Sequence, residues 1–237
     1  MTSVEIRQHP RETGTSLRCV ALFTKPATPG KVKTRLIGRL TPEQAADLHG
    51  AFLSDLSRRL VRGDFDLRIA WALDKGVEPP DFGIEALVQR GEQLGERLYR
   101  SLSELSRIYP FVAAVGSDHP DLPLSRVHTA FDKLESDAEV VLGPAHDGGY
   151  YLIALRGKAL NRALFSGIEW SGPSVLDTTL HRCHSLGLRT ELLNAAFDVD
   201  TPADLDRLDT RLKCDPGIEC PRTRELLHRW RMEGGSE

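Results

Sequence analysis

The chain has 237 residues, enough for one large α/β domain or at most two small ones, and its 40% hydrophobic and 27% charged residues are ordinary for a soluble globular protein. Its formal net charge of −3 gives no general reason to expect binding to nucleic acid or to an anionic membrane surface. No apolar run approaches the roughly 20 residues that span a bilayer. The four cysteines form no CxxC pair, so we expect reduced thiols in a cytoplasmic protein without a zinc site.

From residue 17 onward the sequence predicts strands that alternate with helices, after a leader at 1–16 that we expect to be disordered. Short apolar runs that end in turn residues predict strands at 17–25, 66–73, 85–89, 111–116, 139–145, 150–155 and 189–194. Apolar residues at helical spacing predict helices at 41–63, 94–105, 125–135, 174–186 and 201–212. This alternation predicts a single α/β domain at 17–212, with a mostly parallel sheet and helices on both faces.

The predicted sheet is mixed rather than wholly parallel, and a charged tail follows the domain. The two neighbouring strands around Asp147 place one antiparallel strand in the sheet. Residues 213–237 are rich in charge, and the segment RTRELLHRWRM within them predicts a helical appendage.

Asp118 follows the run FVAAVG, which predicts a strand buried on both faces. In an open parallel sheet, ligands bind beyond the carboxyl ends of the strands, where this aspartate would lie. A carboxylate in that place can hold a divalent metal against a phosphate. The segment Asp-His-Pro-Asp is also good turn chemistry, so a turn or capping role is the alternative for Asp118 taken by itself.

The loop after the first predicted strand, PGKVKTR, carries three cations at Lys31, Lys33 and Arg35. Point charges, an arginine fork, Thr34 and the backbone donors beside Gly30 are what a phosphate chain requires. The loop contains neither the GxxxxGK[ST] pattern nor GxGxxG. A solvated basic loop is the alternative.

A second carboxylate, Asp200, closes the segment FDVD immediately before a predicted helix. An aspartate there would ordinarily cap the helix, but Thr201 is well placed to do so and leaves Asp200 free. Two carboxylates that face a diphosphate typically hold magnesium or manganese, with water completing the coordination. We therefore predict a metal site at Asp118 and Asp200, with Asp198 and Asp121 as reserve ligands.

Two glycine-containing segments are further candidate ligand contacts. In GPAHDGGYYL, the glycines after Asp147 permit a tight turn or a close backbone approach, and a hairpin tip that lines a pocket satisfies both. In VQRGEQLGERL, Gln89 could read a nucleobase edge because an amide both donates and accepts; an exposed polar loop is the alternative. Trp170 is more consistent with packing than with stacking on a ligand, although it could flank a sugar.

Six segments occur in an order that resembles a known family: FTKPATPGKVKTRL, QRGEQLGERL, GSDHPDLP, GPAHDGGYYLIAL, IEWSGPSV and FDVDTPADL. The family consists of small bacterial proteins, long described as a domain of unknown function (DUF2064) and grouped with nucleotide-diphospho-sugar transferases. Some members are described as glycosyltransferases of arsenosugar biosynthesis. The resemblance runs from about residue 17 to residue 212. It implies a GT-A-like fold, which is a Rossmann-like mixed sheet that binds a nucleotide diphosphate with a divalent metal.

The resemblance implies roles for particular positions of this sequence. Asp118 is similar to the metal-binding aspartate of the superfamily, and Asp200 to the late carboxylate or amide that completes the metal site. The other implied positions are Lys25, Gly30, Lys33, Thr34 and Arg35 for the phosphates; Gln89, Gly91 and Gly95 for the base; and Asp147, Gly148, Gly149 and Tyr150 for the sugar or acceptor. Ser171-Gly172 departs from the serine-threonine pair expected at a minor pocket contact.

The sequence leaves three functions open. The first is a metal-dependent glycosyltransferase that uses a nucleotide-sugar donor and a small-molecule acceptor, with Asp118, Lys33 and Asp147 as candidate catalytic residues and Asp147 as the base. The second is a nucleotidyltransferase that consumes a nucleoside triphosphate and releases pyrophosphate. The layout also resembles the phospholactate guanylyltransferases, and the dense cations suit a triphosphate, but the loop lacks the GGxGTR form of sugar-nucleotide pyrophosphorylases. The third is a non-catalytic nucleotide-binding module.

Overall fold

The structure, a computed structural model, describes residues 16–234, so residues 1–15 of the predicted leader lie outside the described part. The strands are β1 (Arg18–Thr24), β2 (Asp66–Trp71), β3 (Ala86–Val88), β4 (Phe111–Gly116), β5 (Val140–Pro144), β6 (Tyr150–Arg156) and β7 (Thr190–Leu192). The helices are α1 (Pro42–Leu60), α2 (Leu94–Leu105), α3 (Leu124–Ser136), α4 (Val175–Ser185), α5 (Pro202–Cys214) and α6 (Pro221–Gly234). Each predicted strand and helix is therefore present, with ends shifted by a few residues.

The strands form one seven-stranded sheet in the order β3-β2-β1-β4-β6-β5-β7. Strand β6 runs antiparallel to β4 and β5, and the other neighbouring pairs are parallel. The predicted mixed, mostly parallel sheet is confirmed. Because β1, β2, β4 and β5 all run in one direction, their carboxyl ends and the β5–β6 hairpin tip lie along the same edge of the sheet.

Helices cover both faces of the sheet, as predicted. On one face, α1 and α3 bury their leucines and phenylalanines against alternate residues of the central strands, such as Val20, Leu22 and Ile69. On the other face, α2 packs Leu98, Leu102 and Leu105 against the intervening residues, and α4 contributes Cys183. The alternation of buried side chains between the two faces is what an apolar run in a doubly covered strand requires.

The C-terminal segment packs on the outer side of α1. Helices α5 and α6 bury leucines against Leu48 and Phe52 of α1. The start of α6 is fastened by Asp55 of α1, whose carboxylate accepts hydrogen bonds from the backbone amides of Arg222 at 2.9 Å and Thr223 at 2.8 Å. The predicted appendage is helical, and it packs on α1 through a third hydrophobic cluster, separate from the two clusters on the faces of the sheet.

The local signals that begin two helices are confirmed by their hydrogen bonds. Thr41 caps α1 in a capping box with Gln44, and Thr201 caps α5 in a capping box with Asp204. All four cysteines are free. Among residues 16–234, no helix combines the length and the apolar character that crossing a bilayer requires.

Candidate functional site

Three segments that are distant in sequence meet at the carboxyl edge of the sheet. Asp118 follows β4, Asp200 precedes α5, and Lys33 lies in the loop after β1. The Lys33 ammonium donates to Asp118 Oδ1, to Asp200 Oδ1 at 3.1 Å and to the carbonyl oxygen of Val199 at 2.7 Å. The backbone amide of Val199 donates to the carbonyl of Asp118 at 3.1 Å, which holds the two carboxylate-bearing segments together.

Lys33 lies beneath the two carboxylates rather than in front of them. Its side chain is 2% exposed, whereas the side chains of Asp118 and Asp200 are 43% and 36% exposed. The ammonium also lies 5.4 Å from the ring centroid of Phe52, a cation–π distance. Lys33 has a left-handed backbone with φ 46°, a strained conformation that persists only where the surroundings fix it.

The arrangement stabilises the charged forms of Lys33 and Asp118. Burial lowers the pKa of Lys33, but attraction to Asp118 and Asp200 outweighs burial, and the net pKa lies above its ordinary value. Burial alone would raise the pKa of Asp118. The charge and hydrogen bond of Lys33 lower it by more than burial raises it, so the net pKa lies below its ordinary value. At neutral pH the site therefore holds an ammonium and an ionised carboxylate.

The donor set fits a hard divalent cation that shares its coordination with a substrate. Asp118 and Asp200 converge on one point, shown by their common partner Lys33, and both remain open on the side away from the lysine. Within residues 16–234 no group of three or more His, Cys, Asp or Glu side chains is placed to hold a metal. Magnesium is usually bound by one or two carboxylates together with substrate phosphates and water, so two carboxylates suffice.

The other cations of the predicted phosphate loop lie in two different places. Arg35 is 69% exposed, and its guanidinium lies 3.6 Å from Asp200 Oδ2. Lys31 instead pairs with Asp74, on the side of β2. Thr34 begins the short 3₁₀ turn Thr34–Leu36. Two of the three loop cations thus lie at the carboxylates.

Lys25 and Gly30 lie in the part of the loop that leaves β1. Nε2 of His49 in α1 lies 3.0 Å from the carbonyl oxygen of Lys25 and 3.0 Å from Thr24 Oγ1. Since a carbonyl can only accept, Nε2 carries the proton in this contact. Burial lowers the pKa of His49. Gly30 adopts φ 75°, which completes the turn that follows.

Asp118 and Asp200 open onto a cavity of about 540 Å³. Its walls come from β1, β4, β6, α2, α4 and the segment before α5. The lining residues are Phe23, Arg35, Leu94, Leu98, Ala114, Val115, Gly116, Asp118, His119, Ala145, Asp147, Gly149, Tyr150, Tyr151, Ile153, Trp170, Ser171, Gly172, Pro173, Val175, Asp198 and Asp200. A concave site of this size with a few convergent charged groups is typical of small-molecule binding.

The Asp147 segment is the tip of the β5–β6 hairpin and lines this cavity. Asp147 Oδ1 accepts a hydrogen bond from the backbone amide of Gly149 at 2.8 Å, which shapes the turn. Gly148 has φ 90°, and a side chain there would collide with the carbonyl of Pro173. Its own carbonyl accepts from the backbone amide of Leu176 at 2.9 Å. The hairpin tip is therefore docked on the start of α4 and brings Asp147 and Tyr150 to the cavity wall.

The predicted base-contacting residues lie between the end of β3 and the start of α2. The side-chain amide nitrogen of Gln89 donates to the carbonyl oxygens of Ala70 at 2.7 Å and Thr24 at 3.3 Å, so it is engaged by the backbone of the sheet. Gly91 has φ 133°. Gly95 provides room for an aromatic side chain, because a Cβ there would lie 2.6 Å from the indole nitrogen of Trp170. These three residues are separate from the Asp118 carboxylate cluster.

The sequence did not single out His119, which is buried beside one of the two reserve carboxylates. His119 is 2% exposed, and its Nε2 lies 2.9 Å from Asp198 Oδ1. Asp121 Oδ2 lies 2.6 Å from the guanidinium of Arg211. Each reserve carboxylate thus has its own partner. The only available signal for His119 was its place directly after Asp118 at the end of an apolar strand.

Comparison with known proteins places this chain in a family. Residues 60–172 match the family model described as "Uncharacterized protein conserved in bacteria (DUF2064)". A crystal structure from Desulfovibrio desulfuricans G20, provisionally named a nucleotide-diphospho-sugar transferase, is 31% identical and superposes with a TM-score of 0.84 over 90% of this chain and 95% of its own. The chain belongs to this DUF2064 family of nucleotide-diphospho-sugar transferases. The predicted enzyme class, a transferase, is confirmed at this level.

More distant structures share the fold of this DUF2064 protein. A 4-diphosphocytidyl-2C-methyl-D-erythritol synthase from Anaerococcus prevotii DSM 20548 has a TM-score of 0.53 at 11% identity, covering 84% of this chain and 99% of its own. A CMP:2-keto-3-deoxy-manno-octonic acid synthetase in complex with CTP has a TM-score of 0.52 at 13% identity, covering 83% and 98%. At these identities the likeness shows the fold and nothing about substrate. No curated protein matches the chain.

Proposed function

We propose that this protein is a metal-dependent glycosyltransferase that uses a nucleotide-sugar donor and a small-molecule acceptor. One observation carries the proposal: Lys33, Asp118 and Asp200 converge at the carboxyl edge of the sheet, with both carboxylates open to a cavity of about 540 Å³. Two carboxylates fixed by a buried cation, with an exposed arginine beside them, are suited to a diphosphate accompanied by a divalent ion. Membership of the family supports the same class.

Asp118 and Asp200 would hold the metal, magnesium or manganese, through the sides that face the cavity. When bound, such an ion neutralises the charge that develops on a diphosphate as the bond to the sugar breaks. Lys33 keeps Asp118 ionised and holds both carboxylates in place from below. This gives the lysine a catalytic contribution through charge that does not require it to touch the sugar.

Arg35 and Asp147 are the chain's other candidates for direct substrate contact. Arg35 is exposed beside Asp200, so its guanidinium is free to donate to diphosphate oxygens. A glycosyl acceptor hydroxyl must lose a proton during transfer, and a carboxylate on the cavity wall can accept it. Asp147 lines the same cavity and has its carboxylate oriented by the amide of Gly149. We assign Asp147 the role of the base.

A nucleotidyltransferase is the second candidate, and it is weakened by the position of Lys31. The case for a triphosphate rested on three closely spaced loop cations, and Lys31 pairs with Asp74 away from the carboxylates. Lys33 and Arg35 are then the loop cations at the carboxylates, which is fewer than the sequence suggested for three phosphates. This observation favours a nucleoside diphosphate group over a triphosphate.

Product analysis separates the two functions. The protein is incubated with manganese and a panel of nucleotide sugars and nucleoside triphosphates, and released nucleoside diphosphate and pyrophosphate are quantified. The proposal expects nucleoside diphosphate from one nucleotide sugar, lost in Asp118→Asn and retained in Asp74→Asn, which removes a carboxylate outside the site. Release of pyrophosphate from a triphosphate instead would replace the proposal with nucleotidyl transfer.

A further inference from the structure

The cavity has two ends of different chemistry. At the charged end, Asp118 and Asp200 stand over Lys33. Another part of the lining is formed by apolar and aromatic side chains from α2, β6 and the segment before α4, which we call the aromatic end: Leu94, Leu98, Tyr150 and Trp170. One cavity with a polar and an apolar end is suited to a ligand whose two parts differ in the same way.

Trp170 is held in a fixed position at the aromatic end. Its indole lies over Gly95 of α2, where a Cβ would come within 2.6 Å of the indole nitrogen. The Tyr150 ring meets it edge-on, with centroids 6.1 Å apart and planes at 81°. The Tyr150 hydroxyl is buried, so Tyr150 offers the cavity its ring rather than a polar group. The aromatic wall is therefore formed by Trp170 where it packs between Gly95 of α2 and Tyr150 of β6.

Leu94 adds exposed apolar surface to this wall. It belongs to the apolar stripe of α2, yet it is 42% exposed, whereas Leu98 one turn later is 5% exposed. Leu94 lines the cavity mouth instead of the core. An exposed leucine next to a partly buried tryptophan provides apolar surface, and its burial beneath a ligand would contribute favourable binding free energy.

The distribution of charge excludes an anionic group from the aromatic end. Among the described residues that line the cavity, Arg35 is the one arginine or lysine, and it lies at the charged end beside Asp200. The formally charged residue next to the aromatic end is Asp147, three positions before Tyr150 on the hairpin tip. A phosphate bound there would lose water without gaining a cation and would face a carboxylate, which is unfavourable.

We infer that the aromatic end binds an uncharged pyranose ring, with a C–H face of the ring packed on Trp170, and that it rejects a phosphorylated sugar. The inference rests on the proposed function for the molecule to which the ring is attached, which is either the nucleotide-sugar donor or the acceptor. It goes beyond that function by excluding phosphorylated second substrates. Hydroxyls at the ring edge would remain near Asp147, which can accept hydrogen bonds from them.

The first test compares the affinities of nucleoside diphosphates with those of the matching nucleotide sugars, by calorimetry in the presence of manganese. In the wild type, one nucleotide sugar should bind more tightly than its diphosphate. Trp170→Ala should lower the ratio of the two affinities about tenfold, the effect of losing one good aromatic contact. The affinity for the diphosphate should stay unchanged. Trp230→Ala is the matched control, because Trp230 packs in the α1–α5–α6 cluster. An unchanged ratio in Trp170→Ala excludes the sugar of the donor from the aromatic end while leaving the proposed function intact, and combined with no pyranoside binding in the second test it overturns the inference.

A second test needs no nucleotide. Methyl pyranosides and hexose 6-phosphates are titrated while tryptophan fluorescence is recorded in the wild type and in Trp170→Phe. Neutral pyranosides should change the emission of the wild type only, and the phosphates should bind at least about tenfold more weakly, as expected for a buried, unpaired charge. Tighter binding of the phosphates, or no binding of any pyranoside, contradicts the inference. Pyranoside binding without any nucleotide binding would instead reject the proposed function and keep the inference.

The same titration identifies the source of the ring. If a saturating nucleotide sugar blocks the methyl pyranoside, the aromatic end holds the sugar of the donor. If both bind together, it holds the acceptor. Either result is compatible with an uncharged ring at Trp170.

Discussion

Two polar clusters lie on either side of the segment 118–122, and they differ in whether their charged groups remain open to a ligand. At the cavity, Lys33 joins Asp118 and Asp200, whose carboxylates stay 43% and 36% exposed. Behind the segment, Arg59 of α1 donates to the carbonyl oxygens of Pro120 at 2.7 Å and Leu122 at 3.1 Å. Both clusters are buried on one side, but only the first leaves charged oxygens open to a ligand.

The cluster behind the segment satisfies its polar groups with protein partners. Arg59 also donates to the carbonyl of Glu219, and Cys220 Sγ donates to the carbonyl of Pro120 at 3.1 Å. Asp55, one turn earlier on α1, holds the first amides of α6 and the hydroxyl of Thr223 at 2.7 Å. Such a closed network fixes geometry, whereas the open cluster keeps binding capacity.

The comparison teaches how the site is positioned. The Asp118 carboxylate is held from below by Lys33, and the backbone just after it is fixed from behind by Arg59. The rear cluster therefore should control stability, and the front cluster should control chemistry. Variants of the two clusters test this division.

The largest expected effect is on turnover in Asp118→Asn. Removing one charge from the open cluster should lower the rate of nucleoside diphosphate release by about 10²–10³-fold, the usual cost of losing one preorganised electrostatic group. The melting temperature should change little, because the carboxylate is 43% exposed and an amide oxygen can still accept from Lys33. The matched control is Asp132→Asn, a 67% exposed carboxylate that pairs with Arg18. Equal losses of turnover in the two variants would contradict the division.

The second largest effect is on folding stability in Arg59→Met. The substitution leaves the buried carbonyls of Pro120 and Leu122 without their donor, so the free energy of unfolding should fall by about 3–5 kcal/mol. Urea denaturation measures this change, with Arg58→Met as the control, since Arg58 is the exposed neighbour on the same helix. If both variants lose the same stability, Arg59 does not fix the segment.

A smaller effect is expected at the start of α6. Asp55→Asn weakens the cap that holds the amides of Arg222 and Thr223, which should cost about 1–2 kcal/mol. Hydrogen exchange should show faster exchange in the first turn of α6, with turnover per folded molecule unchanged. Asp47→Asn, an exposed position on the same helix, is the control. Loss of turnover without loss of α6 protection would reverse the assignment of roles.

The smallest effect is the pH dependence that His49 adds at the start of the phosphate loop. Burial lowers the folded-state pKa of His49, so the unfolded chain binds the proton more readily. Its contribution to stability is fully present above the unfolded pKa of about 6.5 and is lost as the pH falls through the folded pKa. Below that pH, the melting temperature of the wild type should therefore fall more than that of His49→Gln. His181→Gln, an exposed site, should behave as the wild type does.

The strands and the convergence of Asp118 with Asp200 could be predicted because they follow from local patterns. An apolar run ended by Gly116 and an FDVD segment before a capped helix both lead to the carboxyl edge of the sheet. Residue patterns alone could not choose between Lys31 and Lys33, because both lie in an irregular loop whose backbone is set by distant contacts; only the family resemblance favoured Lys33. The left-handed backbone of Lys33 and its partners at 118 and 200 exist only after the sheet has formed.

The rear cluster and the aromatic end were missed for a related reason. Arg59 meets residues 61 and 63 positions away, and Asp55 meets α6 at 167 and 168 positions. A usable signal was present: both charges stand beside the apolar stripe of α1 that contains Leu56. The place of Trp170 over Gly95 likewise depends on two segments that no short-range pattern connects.

The most direct test of the central claim is the melting temperature of the wild type and of Asp118→Asn with a panel of nucleotide sugars, each with and without manganese. A ligand that binds the folded state raises the melting temperature by mass action. The account predicts a manganese-dependent rise with one nucleotide sugar, lost in Asp118→Asn and retained in Asp132→Asn. A rise of the same size in Asp118→Asn, or one that does not depend on manganese, would contradict the assignment of Asp118 and Asp200 as the metal and diphosphate site.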